Sequence, residues 1–92
     1  MYEIRVTPGF ARSFKKFDKY TQKMLKNWIS KNLEATENPR EHGKQLTGQL
    51  GEYWRYRIGD YRLICHIDDN ELIILAIEVG HRREIYERFD RK

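Results

Sequence analysis

The sequence predicts an α+β domain: an N-terminal strand, an antiparallel helical hairpin packed on a largely antiparallel four-stranded sheet, and a short C-terminal helix. Apolar residues recur at helical spacing in the first third of the chain, whereas residues 52–79 alternate or run apolar as strands do. Short turn signals separate the strand segments. The 92 residues, 39% of them hydrophobic, suffice for one core, so a single domain over residues 1–92 is expected.

The first forty residues predict a strand followed by two helices. The segment YEIRV is a short strand, after which Thr7 can cap a helix that has Pro8 at its first position. The apolar face of this helix repeats at i, i+4 and i+7 with Phe10, Phe14 and Phe17. A second helix is expected to begin near Thr21, with apolar positions at Met24, Leu25, Trp28, Ile29 and Leu33. Asn38-Pro39 ends the hairpin, and residues 40–51 are predicted to form a connecting loop.

The next segment predicts three consecutive strands, with turns at Gly59-Asp60 and at residues 68–70. A two-residue type II′ turn at Gly59 places these pairs opposite each other: Ile58 and Tyr61, Arg57 and Arg62, Tyr56 and Leu63, Trp54 and Cys65. One face of the hairpin then carries Trp54, Tyr56, Ile58, Tyr61, Leu63, Cys65 and Ile67, which is the predicted core face. The strand ELIILAIEV is apolar at nearly every position and is expected in the sheet interior. Gly80 is expected to end it before the terminal helix.

The opposite face of the hairpin, the arginine face, is crowded with positive charge. It carries Tyr53, Arg55, Arg57, Arg62, Ile64 and His66. Arg57 and Arg62 are directly opposed, with Cβ atoms roughly 5 Å apart, where like charges destabilise a pair. An anion over this face would relieve that repulsion, because guanidinium groups form charge-assisted hydrogen bonds with phosphate. The alternative is that nearby carboxylates neutralise the arginines, the candidates being Asp60, Glu52 and Glu71.

The C-terminal segment supplies further basic and aromatic candidates. In a helix, Arg82 and Tyr86 are i, i+4 neighbours that project together and could meet the arginine face, although a stacked surface pair would show the same spacing. Six arginines lie in two clusters, at 55–62 and 82–88, in a chain of formal net charge +4. This concentration favours a polyanionic partner. Four lysines form a more diffuse basic surface, which a merely solvated surface would also produce: Lys19, Lys23, Lys26 and Lys44.

Several classes of protein are disfavoured. The longest apolar run, LIILAI, is too short to cross a bilayer, and MYEIRV does not resemble a signal peptide, so a cytoplasmic location without membrane contact is expected. The single Cys65 cannot form an intramolecular disulfide, and no Cys/His cluster has zinc-ligand spacing. Neither a metal nor another cofactor is therefore predicted.

Three stretches carry a resemblance to a known family. They are PREHGKQLTG at 39–48, WRYRIGDYRLI at 54–64 and EVGHRREIY at 78–86. With the strand and helical hairpin, they make nearly the whole chain similar to the RelE branch of the RelE/ParE toxin superfamily. The resemblance implies the toxin of a type II toxin–antitoxin system, with a cognate antitoxin as partner. It also implies binding to the ribosome, with its 16S rRNA, and metal-independent cleavage of mRNA in the ribosomal A site, the ribose 2′-hydroxyl attacking the adjacent phosphate.

The resemblance also implies roles for individual residues. Arg55 and Arg57 stand at strand positions where well-known members have lysines, and Arg62 matches a phosphate-binding arginine. Arg82 matches the arginine associated with transition-state or leaving-group stabilisation, and Tyr86 matches a tyrosine on which a codon base stacks. An arginine stays protonated and is a poor general base, so the departure from lysine leaves the proton acceptor open.

Several side chains could take that proton. His81 is the first choice, because an imidazole changes charge near neutral pH and His81 precedes Arg82; a loop histidine bonded to backbone is the alternative. Glu78 is the second choice, Tyr86 the third, and His66 a lesser one, while His42 is interpreted as a solvated residue or an rRNA contact. Two other function classes stay open: a ParE-like inhibitor of DNA gyrase, and an RNA-binding module without catalysis, whose affinity would fall steeply with salt.

Overall fold

The computed structural model describes residues 1–90, which contain five strands and three α-helices. The strands are β1 (Glu3–Val6), β2 (Gly43–Gln45), β3 (Tyr53–Ile58), β4 (Tyr61–Asp68) and β5 (Ile73–His81). The helices are α1 (Pro8–Lys15), α2 (Lys19–Asn32) and α3 (Arg82–Ile85), with a 3₁₀ turn at Gly48–Leu50 and a π-helical turn at Tyr86–Asp90. The predicted α+β class is confirmed. Residues 91 and 92 of the predicted domain lie outside the described residues.

The sheet has five strands where four were predicted. Their order is β1-β5-β4-β3-β2, with β1 parallel to β5 and every other pair antiparallel. The additional strand, β2, lies in the segment predicted as a loop and pairs with the outer side of β3. It has only three residues, Gly-Lys-Gln, and no apolar alternation. Three residues are too few to show the alternation that predicts a strand, so nothing in its own sequence indicates one.

The register of the β3–β4 hairpin is as predicted. Its cross-strand pairs include Arg57 with Arg62 and Tyr56 with Leu63, and the pairing runs without a shift from Ile58 to Tyr53. Gly59 has a φ of +59°, which the first position of a type II′ turn requires. The turn therefore fixes which side chains of both strands share a face.

Both N-terminal helices begin at side-chain caps. Thr7 Oγ1 accepts a hydrogen bond from Phe10 N at 3.1 Å, which confirms the predicted cap of α1. The α2 helix begins at Lys19, slightly earlier than predicted, because Asp18 caps it by accepting from Thr21 N at 2.9 Å. This hydrogen bond lowers the pKa of the Asp18 carboxyl. Within residues 1–90, no helix combines the length and apolar character that crossing a bilayer requires.

The main core lies between the helical hairpin and the predicted core face of the sheet. Its buried members include Phe10 from α1, Leu25 from α2, Leu33 at the C-cap of α2, and the following sheet residues: Tyr56, Ile58, Leu63, Cys65, Ile74, Ala76 and Val79. A smaller cluster of Leu46, Ile64 and Ile85 lies on the other face. The C-terminal helix α3 therefore covers part of the arginine face.

A β-bulge interrupts the pairing of β4 with β5. Cys65 lies opposite Ala76, whereas the preceding residue, Ile64, lies opposite Glu78, so Ile77 is the extra residue. Beyond this point the alternation of β5 is inverted, because one inserted residue exchanges the two faces. The strand is interior, as predicted, but it continues through Gly80 to His81 instead of ending at the glycine.

One buried tyrosine ties the segment after α2 to the sheet. Tyr56 is fully buried, and its hydroxyl donates to the carbonyl of Pro39 at 2.5 Å. Burial raises the pKa of Tyr56, so its hydroxyl stays protonated and able to donate. The aromatic ring of Trp28 lies 5.9 Å away, which connects α2 to the same contact.

We expect Tyr56→Phe to lower the free energy of unfolding by about 1–3 kcal/mol, since it leaves a buried carbonyl without its donor. Tyr20→Phe is the matched control, because Tyr20 is 78% exposed. Urea denaturation followed by tryptophan fluorescence measures both. Equal midpoints for the two variants would show that the Tyr56 hydroxyl contributes nothing.

Candidate functional site

The arginine face and the C-terminal segment enclose an open cleft of about 400 Å³. Two of its lining residues, Arg55 and Arg62, come from β3 and β4. The others come from α3 and the turn after it: Arg82, Arg83, Tyr86 and Glu87. Among the described residues, four guanidinium groups and one carboxylate thus line the cleft. The structure brings together four of the six residues predicted for catalysis: Arg55, Arg62, Arg82 and Tyr86.

Close packing of α3 on the sheet brings its arginine and tyrosine to this cleft. A Cβ added to Gly80 would lie 2.7 Å from Glu84 Oε1 and 3.3 Å from the Ile85 side chain, so the helix approaches where the strand has no side chain. Ile85 is fully buried on this face. The backbone N–H of Arg82 donates to Asp60 O at 2.8 Å, which joins the start of α3 to the β3–β4 turn.

The pKa of Arg62 is lowered at its position among the other arginines. Its guanidinium donates to Gly59 O at 3.0 Å and to Tyr61 O at 2.9 Å, which holds it at the hairpin turn. Burial lowers the pKa of Arg62, and repulsion from three other arginines acts in the same direction: Arg57, Arg55 and Arg82. The Asp60 carboxylate raises the pKa of Arg62, but its effect is the smallest of these. A bound phosphate would remove this repulsion.

Two further basic residues border the cleft. Arg57 lies directly opposite Arg62 in the ladder and is exposed, although it does not line the cleft itself. Lys44 of β2 lies opposite Arg55, and paired residues in a sheet share a face. The predicted RNA-binding Lys44 therefore extends the row of basic side chains across the sheet. Its three companions, Lys19, Lys23 and Lys26, are exposed on α2, beyond the opposite face.

His81, the first choice for a proton acceptor, lies away from the cleft. It pairs with Tyr61, whose side chain packs on the helical side, and the two rings are 5.9 Å apart. Its Nδ1 accepts a hydrogen bond from Arg83 N at 3.3 Å, so the imidazole caps α3. The β-bulge explains this placement, because it moves His81 to the face opposite the arginines.

The other predicted acceptors are also accounted for. Beyond the bulge, Glu78 lies on the same side of the sheet as the arginine face, but it is buried. Its carboxylate accepts a hydrogen bond from Ser13 of α1 and forms an ion pair with Arg88. His66 lies opposite Tyr53, and its Nε2 is 3.7 Å from a Glu52 oxygen. His42 is exposed, with its ring 6.2 Å from that of Trp28. Of the acceptors considered, Tyr86 alone lines the cleft, where it is 57% exposed.

Sequence reasoning missed two lining residues, Arg83 and Glu87. Their spacing of four matches that of Arg82 and Tyr86, so a helical projection of the whole segment would have placed all four on adjoining faces. The set can bind an anion and offers an aromatic surface beside it. Within the described part of the chain, no three His, Cys, Asp or Glu side chains group in a way that could hold a metal ion.

We expect Arg57→Gln to raise the free energy of unfolding by roughly 0.2–1 kcal/mol at low salt, because it removes a directly opposed like charge. The gain should shrink as salt screens the remaining repulsion. Arg12→Gln, the same change at an exposed position on α1, is the control and should give no gain. Urea denaturation at two salt concentrations measures both, and equal effects of the two changes would show that the Arg57–Arg62 repulsion is negligible.

The chain is similar in sequence to known toxins over nearly its whole length. Residues 4–86 match the family of ParE toxins, which belong to the type II toxin–antitoxin system parDE. The putative toxin RelE4 of Methanocaldococcus jannaschii is 30% identical over 89 residues, which cover 96% of this chain and 94% of that protein.

Solved structures show the same fold. The toxin–antitoxin complex RelBE2 of Mycobacterium tuberculosis contains a chain that superposes with a TM-score of 0.80 at 27% identity, covering 88% of this chain and 91% of that one. The isolated RelE toxin of E. coli gives a TM-score of 0.69 at 21% identity, covering 96% and 94%. Family match, sequence relative and fold agree with the resemblance in the sequence, and the chain belongs to the RelE/ParE superfamily of type II toxin–antitoxin toxins.

Proposed function

We propose that this toxin is a metal-independent endoribonuclease that cleaves mRNA in the ribosomal A site and so inhibits translation. The observation that carries the proposal is the convergence of Arg55, Arg62, Arg82 and Tyr86 on one cleft. Guanidinium groups suit a phosphodiester that gains charge in its transition state, and an exposed tyrosine ring suits a stacked base.

The proposed reaction is attack of a ribose 2′-oxygen on the adjacent phosphorus. The O2′–P bond forms and the P–O5′ bond breaks, leaving a 2′,3′-cyclic phosphate upstream and a 5′-hydroxyl downstream. One proton leaves the 2′-hydroxyl and another reaches the departing 5′-oxygen. In this scheme Arg62 and Arg55 bind the phosphate, Arg82 stabilises the charge on its oxygens, and Arg57 supplies further positive potential.

The candidate proton acceptors differ in whether their side chains are already engaged. His81 remains a candidate from the sequence, but its Nδ1 is engaged with backbone and its ring contacts Tyr61. Glu78 has both carboxylate oxygens engaged, by Ser13 and by Arg88. Tyr86 lines the cleft, so we infer that its hydroxyl is better placed than either to exchange a proton with the substrate.

The ribosome supplies the remaining positioning in this proposal. The cleft is open and is lined by six of the described residues, four of them arginines, so RNA bound there has few protein contacts apart from the basic residues. We propose that Lys44 and the α2 lysines, Lys19, Lys23 and Lys26, contact 16S rRNA. Phosphate contacts of this kind orient a protein on nucleic acid without reading sequence.

An antitoxin is the second proposed partner. Several of the similar structures are complexes of RelE proteins with RelB antitoxins. A toxin with this cleft has to be held inactive, and a disordered acidic or amphipathic segment that orders on the toxin surface is suited to the task. We propose that the cognate antitoxin of this chain contains such a segment and covers or pairs with the arginines.

Inhibition of DNA gyrase is the second candidate function. It is favoured by the match of residues 4–86 to the ParE toxin family. A gyrase inhibitor needs no catalytic groups, so its toxicity would survive the loss of Arg82 or Tyr86. Supercoiling by gyrase in the presence of the toxin distinguishes this activity from RNA cleavage.

We expect the toxin to cut mRNA on programmed ribosomes and to leave naked RNA nearly intact, because the ribosome aligns the codon. Mapping of transcript ends after expression from a tight promoter should show cuts at a fixed position within codons. The products should carry 2′,3′-cyclic phosphate and 5′-hydroxyl ends, which a two-metal hydrolysis would not leave. Equal cutting of free RNA, or intact transcripts with inhibited gyrase, would contradict the proposal.

Variants should separate the electrostatic and proton-transfer roles. We expect Arg82→Ala to slow single-turnover cleavage on the order of 10²–10³-fold, since it removes a contact that strengthens in the transition state. Tyr86→Phe removes the hydroxyl and keeps the ring, so it should slow the reaction without weakening substrate binding. Tyr86→Ala also removes the ring and should reduce both the rate and the affinity. His81→Gln is the test of the histidine: full rate and an unchanged pH profile would leave it as a helix cap, and a flattened profile between about pH 6 and 7.5 would make it the proton acceptor.

A further inference from the structure

Glu78 is a buried carboxylate outside the cleft, and its contacts join three parts of the molecule. It lies on β5 and is 8% exposed. One carboxylate oxygen, Oε1, accepts hydrogen bonds from Ser13 Oγ at 2.5 Å and from Val79 N at 3.0 Å. The other, Oε2, lies 3.0 Å from Arg88 Nη2. A carboxylate placed here is stable only because each oxygen has a partner.

The Arg88 end of this pair lies in the segment that lines the cleft. Arg88 is in the π-helical turn, two residues after Tyr86 and six after Arg82. At its other end the same segment is attached by the hydrogen bond from Arg82 N to the hairpin turn. The ion pair with Glu78 therefore ties down the far end of a short segment whose own helical turns are too few to be stable alone.

The β-bulge is what makes the pair possible. Without the extra residue at Ile77, the alternation of β5 would direct Glu78 to the core between sheet and helices, where Ala76 and Val79 now lie. With the bulge, Glu78 shares a side of the sheet with Gly80, over which α3 packs. Glu78, which the sequence offers as a candidate base, therefore contacts Ser13 and Arg88 and does not line the cleft.

We propose that Glu78 is a positioning residue: through Arg88, its carboxylate holds the C-terminal segment so that Arg82 and Tyr86 stay over the arginine face. The rate effect expected from this rests on the proposed nuclease function, whereas the structural effect does not. Glu78→Gln is the sharpest change, because glutamine keeps the volume and an acceptor oxygen for Ser13 and Val79 N but loses the charge that binds Arg88.

The structural effect is measured by amide hydrogen exchange of the free toxin. We expect Glu78→Gln and Arg88→Gln each to speed exchange in residues 82–90 by about tenfold while the β3–β4 hairpin is unchanged, as for loss of a local contact. Asp69→Asn is the control: it breaks the ion pair with Arg40, at 2.9 Å, in a different part of the fold. If exchange in residues 82–90 is unchanged in both test variants, Glu78 does not hold the segment.

The functional effect is measured by single-turnover cleavage of mRNA on programmed ribosomes across pH. We expect Glu78→Gln to slow cleavage by roughly 10–100-fold with the shape of the pH profile retained, and to have a smaller effect when Arg82→Ala is already present, because positioning acts through that arginine. A flattened pH profile, or the full effect in the Arg82→Ala background, would make Glu78 a catalytic residue and overturn the proposal. If the wild-type toxin cuts no RNA, the nuclease proposal fails, and the exchange result still decides whether Glu78 holds the segment.

Discussion

The two-residue turn at Gly59-Asp60 is the constraint on which the rest of the molecule depends. By fixing the register of β3 against β4, it assigns every side chain of the hairpin to the core face or to the arginine face. Burial of each large core side chain contributes about 1.5–3 kcal/mol, whereas the opposition of Arg57 and Arg62 costs roughly 0.2–1 kcal/mol. Burial of the core side chains outweighs the repulsion between Arg57 and Arg62. The fold therefore tolerates a concentration of positive charge that folding alone would not select.

The β-bulge at Ile77 is a second, smaller constraint with a large effect on the site. One extra residue sends Glu78 and Gly80 to the side of the sheet that carries the arginines, and His81 to the helical side. Gly80 then allows α3 to pack closely on the sheet, while His81 caps α3 instead of lining the cleft. The bulge in β5 thus determines which residues reach the cleft, although β5 contributes no side chain to the cleft lining.

Features of this fold that depend on neighbouring residues could be predicted from the sequence, whereas contacts between distant segments could not. The hairpin register, the Thr7 cap and the projection of Arg82 and Tyr86 into one cleft depend on neighbouring residues, so local patterns predicted them. The strand β2 is too short to show an apolar alternation, and the bulge shifts the alternation of β5 by a single residue, so nothing in their own residues indicates them. The same limit applies to Glu78: its position in an apolar strand was visible, but its partners Ser13 and Arg88 come from helices that meet only in the folded chain.

The two outer strands of the sheet are its shortest, four residues in β1 and three in β2. Each leaves a row of backbone N–H and C=O groups on its open side, and such rows are where sheets of separate molecules join and aggregate. Rows this short form few intermolecular hydrogen bonds. Short outer strands therefore limit pairing between the sheets of separate molecules, even though β1 ends at an exposed apolar residue, Val6.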